Sequence, residues 1–463
     1  MIKKKITWLS AMVLSVMMTN VYAGVQYLTI GNSKIPGHYS KEGTFIPSTT
    51  STNSVYGEPT QKKFVNALLQ SDYITNNHDS SNLDISKLKT NYIIGGVMPQ
   101  GQTTSYKNQS TIGILADRAQ LTYQSPQQLY TEYGINKDSD SSHGVIAFVE
   151  WAAPVESDLE EYSNTFNLSK ANLTTYYSTA KGLVSAVDYP NPPMVNSSVY
   201  TSLVSEANLD TQVAHAISPL AQLYVVVVGN DLPNFYKNFD NAVIQAIQLV
   251  QSKGGGELSF SVFANGEPKS ELATILDKNN SNVVVTAATG DDGGLTIDTI
   301  AQFSHVIAAG GTKILADDST QPAPQSLWYT SANEGGNGGV IPNSSPPEYQ
   351  KGLGYSGRAT PDISFDADPA SGVAIFLNGN EIDIGGTSAS APALAAMINR
   401  SGLFKNTKAV LNNIYAHYFA PGTYDGLYDV TQGHNPGAPG NAKKGYDTAT
   451  GLGTPYGLDV FRS

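Results

Sequence analysis

The sequence predicts an α/β protein in which a parallel sheet is covered by helices on both faces. Three observations lead there. From His143 onward, short apolar runs alternate with stretches of helical periodicity, and parallel strands need such crossover helices to connect them. The runs are apolar at nearly every position rather than at every second one, as strands buried on both faces are. The chain, 463 residues with 40% hydrophobic and only 14% charged, also has the material for a sizeable core in more than one segment.

Taken in order, GVIAFV at 144–149 reads as the first buried strand, 203–217 as a helix, and QLYVVVV at 222–228 as the next strand. A helix over 241–253 is closed by Gly254, a favourable C-terminal stop. Further short strands are expected at 258–263, 283–288 and 306–309. In sheets of this kind functional groups gather beyond the carboxyl ends of the strands. Residues 24 to about 120 differ in texture, being polar and rich in Gly, Ser, Thr and Asn with few periodic stretches.

The chain begins with Lys3, Lys4 and Lys5, an uncharged and mostly apolar stretch over 6–18, and Val21-Tyr22-Ala23 before Gly24. This reads as a secretory signal peptide over 1–23, too short in its apolar part to span a membrane. A secreted protein with no membrane attachment after signal removal is expected. The net charge of −12 gives nucleic-acid binding no electrostatic support. Cysteine is absent, so neither disulfides nor thiolate metal sites arise.

Three motifs could carry chemistry. The first is Gly385-Gly386-Thr387-Ser388-Ala389-Ser390-Ala391-Pro392, followed by an apolar helical run. A glycine pair permits a tight turn, and a Ser at a helix start meets free N–H groups suited to a developing oxyanion. The alternative is an ordinary N-cap serine. A nucleophilic Ser needs a base, usually His. Yet His143 precedes a strand and His215 lies within a helix, so no histidine has the setting of a triad. The second motif offers carboxylates instead: Glu206 and Asp210, four apart on an otherwise apolar helix, form one stack. If both were ionised they would repel, so a shared proton or a partner is needed; a solvent-facing acidic stripe is the alternative. Third, Asp291 in Gly290-Asp291-Asp292-Gly293 follows the strand at 283–288, where either a functional group or plain turn chemistry fits.

Together the three motifs resemble the sedolisins, or serine-carboxyl peptidases. That family keeps the Gly-Thr-Ser turn of subtilisin-like folds but uses Glu in place of His. The Glu-x-x-x-Asp helix matches Glu206 and Asp210, the Gly-Asp loop matches Gly290-Asp291, and the Ser motif matches Gly386-Thr387-Ser388, in the family's own order. TPDISFDADPASG at 360–372 and LTYQSPQQLYTEYGI at 121–135 also resemble family segments. The resemblance implies a subtilisin-like doubly wound parallel sheet flanked by helices, with an N-terminal propeptide over 24–120 and a peptidase domain over 121–463. It implies Ser388 as nucleophile, Glu206 as its base, Asp210 as the residue setting the protonation of Glu206, and Asp291 as oxyanion donor. Acid-dependent endopeptidase activity on proteins and peptides follows, with the propeptide as a further partner and a monomer as the working form. A catalytically inactive protein of the same fold, serving as a surface or binding protein, is the competing expectation.

Two C-terminal segments, YDVTQGHNPG and KKGYDTATGLGTP, resemble the family's calcium site. They imply one structural Ca²⁺ held by the Asp429 and Asp447 carboxylates and the main-chain carbonyls of Val430, Lys443 and Gly445, an oxygen set suited to a hard cation. One departure stands out. The family's Ser-x-Ser-Trp/Tyr-Gly strand reads Ser259-Phe260-Ser261-Val262-Phe263 here, so substrate preference is expected to differ.

Overall fold

A computed structural model describes residues 123–462 apart from short stretches at 136–141, 190–197, 231–234, 263–268, 279–280, 295–296, 316–321, 332–333, 403–404, 421–425 and 438. Nearer the N-terminus it describes only the strands Gln26–Ile30, Ser33–Tyr39, Phe45–Pro47 and Met98–Pro99. The expected signal peptide, 1–23, and most of the expected propeptide, 24–120, lie outside the described residues. Within that segment the first three strands pair antiparallel with one another.

Among the described residues the central sheet has nine strands: β1 Val145–Glu150, β2 Asn172–Thr179, β3 Gly182–Ser185, β4 Gln222–Val227, β5 Gly256–Phe260, β6 Val283–Ala288, β7 Ile307–Ile314, β8 Gln325–Leu327 and β9 Ile363–Asp366. Their order is β8-β7-β6-β5-β1-β4-β2-β3, with β9 also beside β7. The run β7-β6-β5-β1-β4-β2 is parallel throughout. The edge strands β3 and β8 are antiparallel to their neighbours. Chain order reverses around β1: β4 lies on one side of it and β5 on the other. The carboxyl end of β1 is therefore the topological switch point, where open parallel sheets place their ligand sites.

Among the described residues six helices pack around the sheet: α1 Pro126–Glu132, α2 Glu156–Thr165, α3 Ser198–Ile217, α4 Phe235–Ser252, α5 Lys269–Lys278 and α6 Thr387–Ser401, and a seventh, α7 Thr407–Phe419, follows. Side chains alternate across a strand with period two. Ile146 and Phe148 of β1 accordingly join the core with residues of α3, α6 and α7, whereas Val145, Ala147 and Val149 join the core with residues of α4 and α5. The even-numbered face of β1 is thus the α3/α6 face, and Glu150 inherits it. A hairpin, β10 Val373–Leu377 and β11 Asn380–Gly385, leads directly into α6.

The expected helices and strands are present, the strand over 283–288 with the ends expected and the others with shifted ends. The helix expected over 203–217 starts at Ser198, and the one expected over 241–253 starts at Phe235, where the polar run Tyr236-Lys237-Asn238 hides the first turn. The strand expected over 258–263 is Gly256–Phe260, and the one expected over 306–309 extends to Ile314.

The core also contains an ionisable group at the end of β9. Asp366 on β9 is fully buried. Its Oδ1 accepts hydrogen bonds from Ser371 Oγ at 2.7 Å and Ile314 N at 3.3 Å, while Oδ2 has no partner. Burial pushes its carboxyl up to about 8, with the Asp368 charge adding to the shift and Lys313 opposing it. An unfolded Asp ionises near ~3.9. The stability that protonated Asp366 contributes is therefore whole below that pH and is lost as pH rises through about 8. Asp366→Asn removes the titration but keeps the shape. Its Tm should sit within about 2 °C of the parent's at about pH 4 and several degrees above it near neutrality. Equal Tm differences at both pH values would contradict the burial argument.

Candidate active site

Every element of the site sits at a carboxyl end of the sheet or on the α3/α6 face. Ser388 is the second residue of α6, entered through Gly386 at φ 103°, a left-handed geometry that favours glycine. Ser388 is fully buried. Four residues on, Pro392 lacks the N–H that would otherwise bond the Ser388 carbonyl. That carbonyl instead lies 3.2 Å from Ser261 Oγ, which is also 2.8 Å from Asp210 Oδ1. Ser261 follows the last residue of β5, so one hydroxyl proton bridges the backbone of the serine turn and the acid helix.

Glu206 and Asp210 on α3 are 1% and 0% exposed, which disposes of a solvent-facing acidic stripe. The Ser388 hydroxyl faces the Glu206 carboxyl, and its interaction there opposes an upward shift caused mainly by burial and then by the Asp210 charge. By strict hydrogen-bond geometry neither Glu206 oxygen is paired, a looseness common in ligand-free sites. Burial pushes Asp210 up to about 7, against the lowering influence of Glu150 and Ser261. Glu150, 1% exposed, faces Asp210 and is raised well above the ordinary carboxyl range by burial and by the Asp210 and Glu206 charges. Three buried carboxyls in one string cannot all ionise, so protons are shared along it.

Asp291 stands three residues beyond β6 and is 3% exposed. Its Oδ1 accepts from Thr387 N at 2.8 Å and from Thr387 Oγ1 at 2.7 Å, while Oδ2 has no partner. Burial pushes this carboxyl up to about 8, against the two Thr387 hydrogen bonds. A neutral Asp291 therefore has its Oδ1 occupied and its Oδ2–H available to an acceptor beside the serine turn. The loop is fixed from below: Gly290 N donates to Thr387 Oγ1 at 3.0 Å, and Gly290 sits at φ 105°. A Cβ there would lie 2.4 Å from Asn337 Nδ2 and 3.0 Å from Asp298 Oδ1, so only glycine fits. Asp298 is itself raised well above the carboxyl range by burial, then by the Asp291 and Asp292 charges.

All four residues singled out in the sequence for chemistry thus converge. Glu150 and Ser261 were not singled out. The signal for Glu150 was a lone acid ending the apolar run GVIAFV on the even-numbered register.

The residues expected to hold calcium also gather. Gly445 N donates to Asp429 Oδ2 at 2.9 Å, and Lys443 N donates to Asp447 Oδ2 at 2.9 Å. Asp447 Oδ1 accepts from Ala449 N, Thr450 N and Thr450 Oγ1. Val430 is fully buried next to Asp429. Both carboxyls are raised, chiefly by burial. Among the described residues no three His, Asp or Glu side chains group to hold a metal ion.

A serine thus sits beside a string of buried carboxyls on a mostly parallel sheet. The solved structure of Pseudomonas sedolisin (serine-carboxyl proteinase), complexed with two molecules of pseudo-iodotyrostatin, matches with a TM-score of 0.57 at 20% identity, covering 72% of this chain and 96% of that one. In sequence the chain is 30% identical over 292 residues to kumamolisin from Bacillus sp. (strain MN-32), covering 56% of this chain and 50% of kumamolisin. It is 39% identical over 135 residues to tripeptidyl-peptidase sed1 of Aspergillus fumigatus, covering 27% of this chain and 20% of that protein. The chain therefore spans half or less of the length of these curated relatives. No family model matches it. The resemblance to the sedolisin family is thus present in both sequence and fold.

Proposed function

We propose that the chain is a secreted serine-carboxyl endopeptidase that hydrolyses peptide bonds in acid through an acyl-enzyme on Ser388. The observation that carries this is the serine turn held between two acids: Ser388 faces buried Glu206, and the preceding Thr387 bonds Asp291, whose Oδ2 is unpaired. Ionised Glu206 takes the Ser388 proton as Oγ attacks the carbonyl carbon, then returns it to the leaving amine; a water repeats the sequence to release the acid. Asp210, supported by Glu150, governs how many protons the string holds. Protonated Asp291 donates to the developing oxyanion. A histidine base would be cationic in acid, whereas a carboxylate still accepts a proton there. Incubating purified protein with casein at about pH 4 and sequencing the products by mass spectrometry tests the reading. Internal cleavages that vanish in Ser388→Ala support it, and intact casein refutes it.

The N-terminal segment fits the role of a propeptide. Met98 and Pro99 pair antiparallel with Gly385 and Ile384, the last residues before the Gly386 turn, so this part of the chain lies beside its own nucleophile. Self-cleavage in acid between that segment and residue 123 is the maturation step this reading entails, with a monomer as product.

Calcium fits the C-terminal loop. Among the described residues the carbonyl oxygens of Val430, Lys443 and Gly445 accept no hydrogen bond, and of the two nearby carboxylates Asp429 has Lys444 as an opposing charge. Asp429, Asp447 and those three carbonyls would hold the ion, which supplies positive charge that ties the loop together. Chelation should then lower Tm by about 5 °C or more and speed autolysis, and Asp447→Ala should mimic it. Unchanged melting with chelator would reduce the pair to turn chemistry.

A further inference from the structure

The acid helix is held from a second side by groups with no part in the chemistry above. Asn208 and Gln212 lie on α3 between and beyond Glu206 and Asp210, offset by two residues, or roughly 200° around the helix. Both are fully buried. Gln212 Oε1 accepts from Phe376 N at 2.7 Å, and Gln212 Nε2 donates to Phe376 O at 2.9 Å. Asn208 Nδ2 donates to the same carbonyl at 2.9 Å and to Asp158 Oδ2 at 2.8 Å, and its Oδ1 accepts from Val155 N at 2.8 Å. Asp158, 2% exposed and on the first turn of α2, accepts from Asn378 N at 2.7 Å and Gly379 N at 2.8 Å. Asn378 and Gly379, at φ 52° and 72°, form the turn of the β10–β11 hairpin.

Phe376 lies on the outer edge of β10, where both its peptide groups face away from β11 and need partners. A neighbouring strand would satisfy them; here the amides of α3 do. Phe376 stands opposite Glu381, and β11 then runs through Gly385 into the serine turn. A closed circuit results: α3 carries the acids to Ser388 on one face and grips, on nearly the opposite face, the hairpin that delivers Ser388.

We propose that Asn208 and Gln212, backed by Asp158, are positioning residues that set the register of Glu206 against Ser388 by clamping α3 to the hairpin feeding the nucleophile. This rests on the serine-carboxyl reading of the site. A side-chain amide bonded to both the N–H and the C=O of one strand residue fixes position along the strand as well as distance, which apolar packing alone does not. Misplacement of a reacting group by about 1 Å can cost on the order of 100-fold in rate.

The test compares Gln212→Leu, Asn208→Ala and Gln212→Glu in the mature protein, with steady-state kinetics on a peptide well below Tm and crystal structures of parent and variants. Gln212→Leu should lose about tenfold or more in kcat with KM within about twofold. Gln212→Glu, which when protonated can accept from Phe376 N and donate to Phe376 O, should restore kcat in acid and lose it as the new carboxyl ionises. A merely structural role lowers Tm without that kcat-only, protonation-linked rescue. If the parent is active and both Gln212→Leu and Asn208→Ala keep kcat within about twofold, the clamp is overturned while the peptidase reading stands. If the parent is inactive, the peptidase reading has failed instead, and the crystal structures decide. Displacement of Glu206 relative to Ser388 in Gln212→Leu supports the clamp, and an unmoved pair refutes it.

Discussion

Ser388→Ala should abolish turnover, lowering kcat on the order of 10⁶-fold, the scale seen when a serine nucleophile that acts as part of a unit is removed. The fold should survive. Ser388 is buried but its hydroxyl is not a helix cap, and the interaction its backbone makes, with Ser261 through the carbonyl, is untouched by the change. Tm should therefore stay within about 2 °C of the parent's. Peptide hydrolysis measured at about pH 4 on protein verified as folded by circular dichroism reads the effect. Residual turnover above about one per cent of the parent's would remove Ser388 from the role of nucleophile.

The next largest effect belongs to Asp291. Asp291→Ala removes the proposed oxyanion donor and should cost about 10²- to 10³-fold in kcat. Asp291→Asn is the informative partner. Its Oδ1 can accept from Thr387 N and Thr387 Oγ1 as the carboxyl does, which turns the amide N–H₂ toward the position of the unpaired Oδ2. The sign of the pH dependence follows. The parent donates only while Asp291 holds its proton, so activity is present below about 8 and lost as pH rises through it. An amide keeps its hydrogens at every pH, so in Asp291→Asn that alkaline limb should disappear. The acid limb should remain, because the base works only when ionised. A parent-like alkaline limb in Asp291→Asn would assign the limb to another group.

These residues were legible because each lies in a motif whose parts sit close together in sequence, and because the motifs occur in one order. Glu150 was not, since a single acid after an apolar run has no spacing to compare; only the period-two register of β1 shows that it shares a face with Asp210. Asn208 and Gln212 were hidden for a different reason. Amides on a helix look like solvent-facing residues until a sheet edge in need of donors and acceptors is placed against them. The long parallel strands were readable from their apolar runs. Their order was not, because hydrophobicity says that a strand is buried and not which strand lies beside it. The short strands β8 and β9 carry too few residues for any period to register.

The division of the core by the sheet has a bearing on how the molecule can change. Glu150, Ser261, Glu206, Asp210 and Ser388 all belong to the side of α3 and α6, while α4 and α5 cover the other with mostly apolar packing, Asn241 and Gln245 adding amide bonds to the end of β2. The sheet separates a side where a shift of one side chain disturbs a proton string from a side where volume is the main requirement. Hydrophobic exchanges that conserve volume are well tolerated in cores, so drift can accumulate under α4 and α5 with little consequence for the acids. An engineer seeking to stiffen or loosen the molecule has a free hand on that side and almost none on the other.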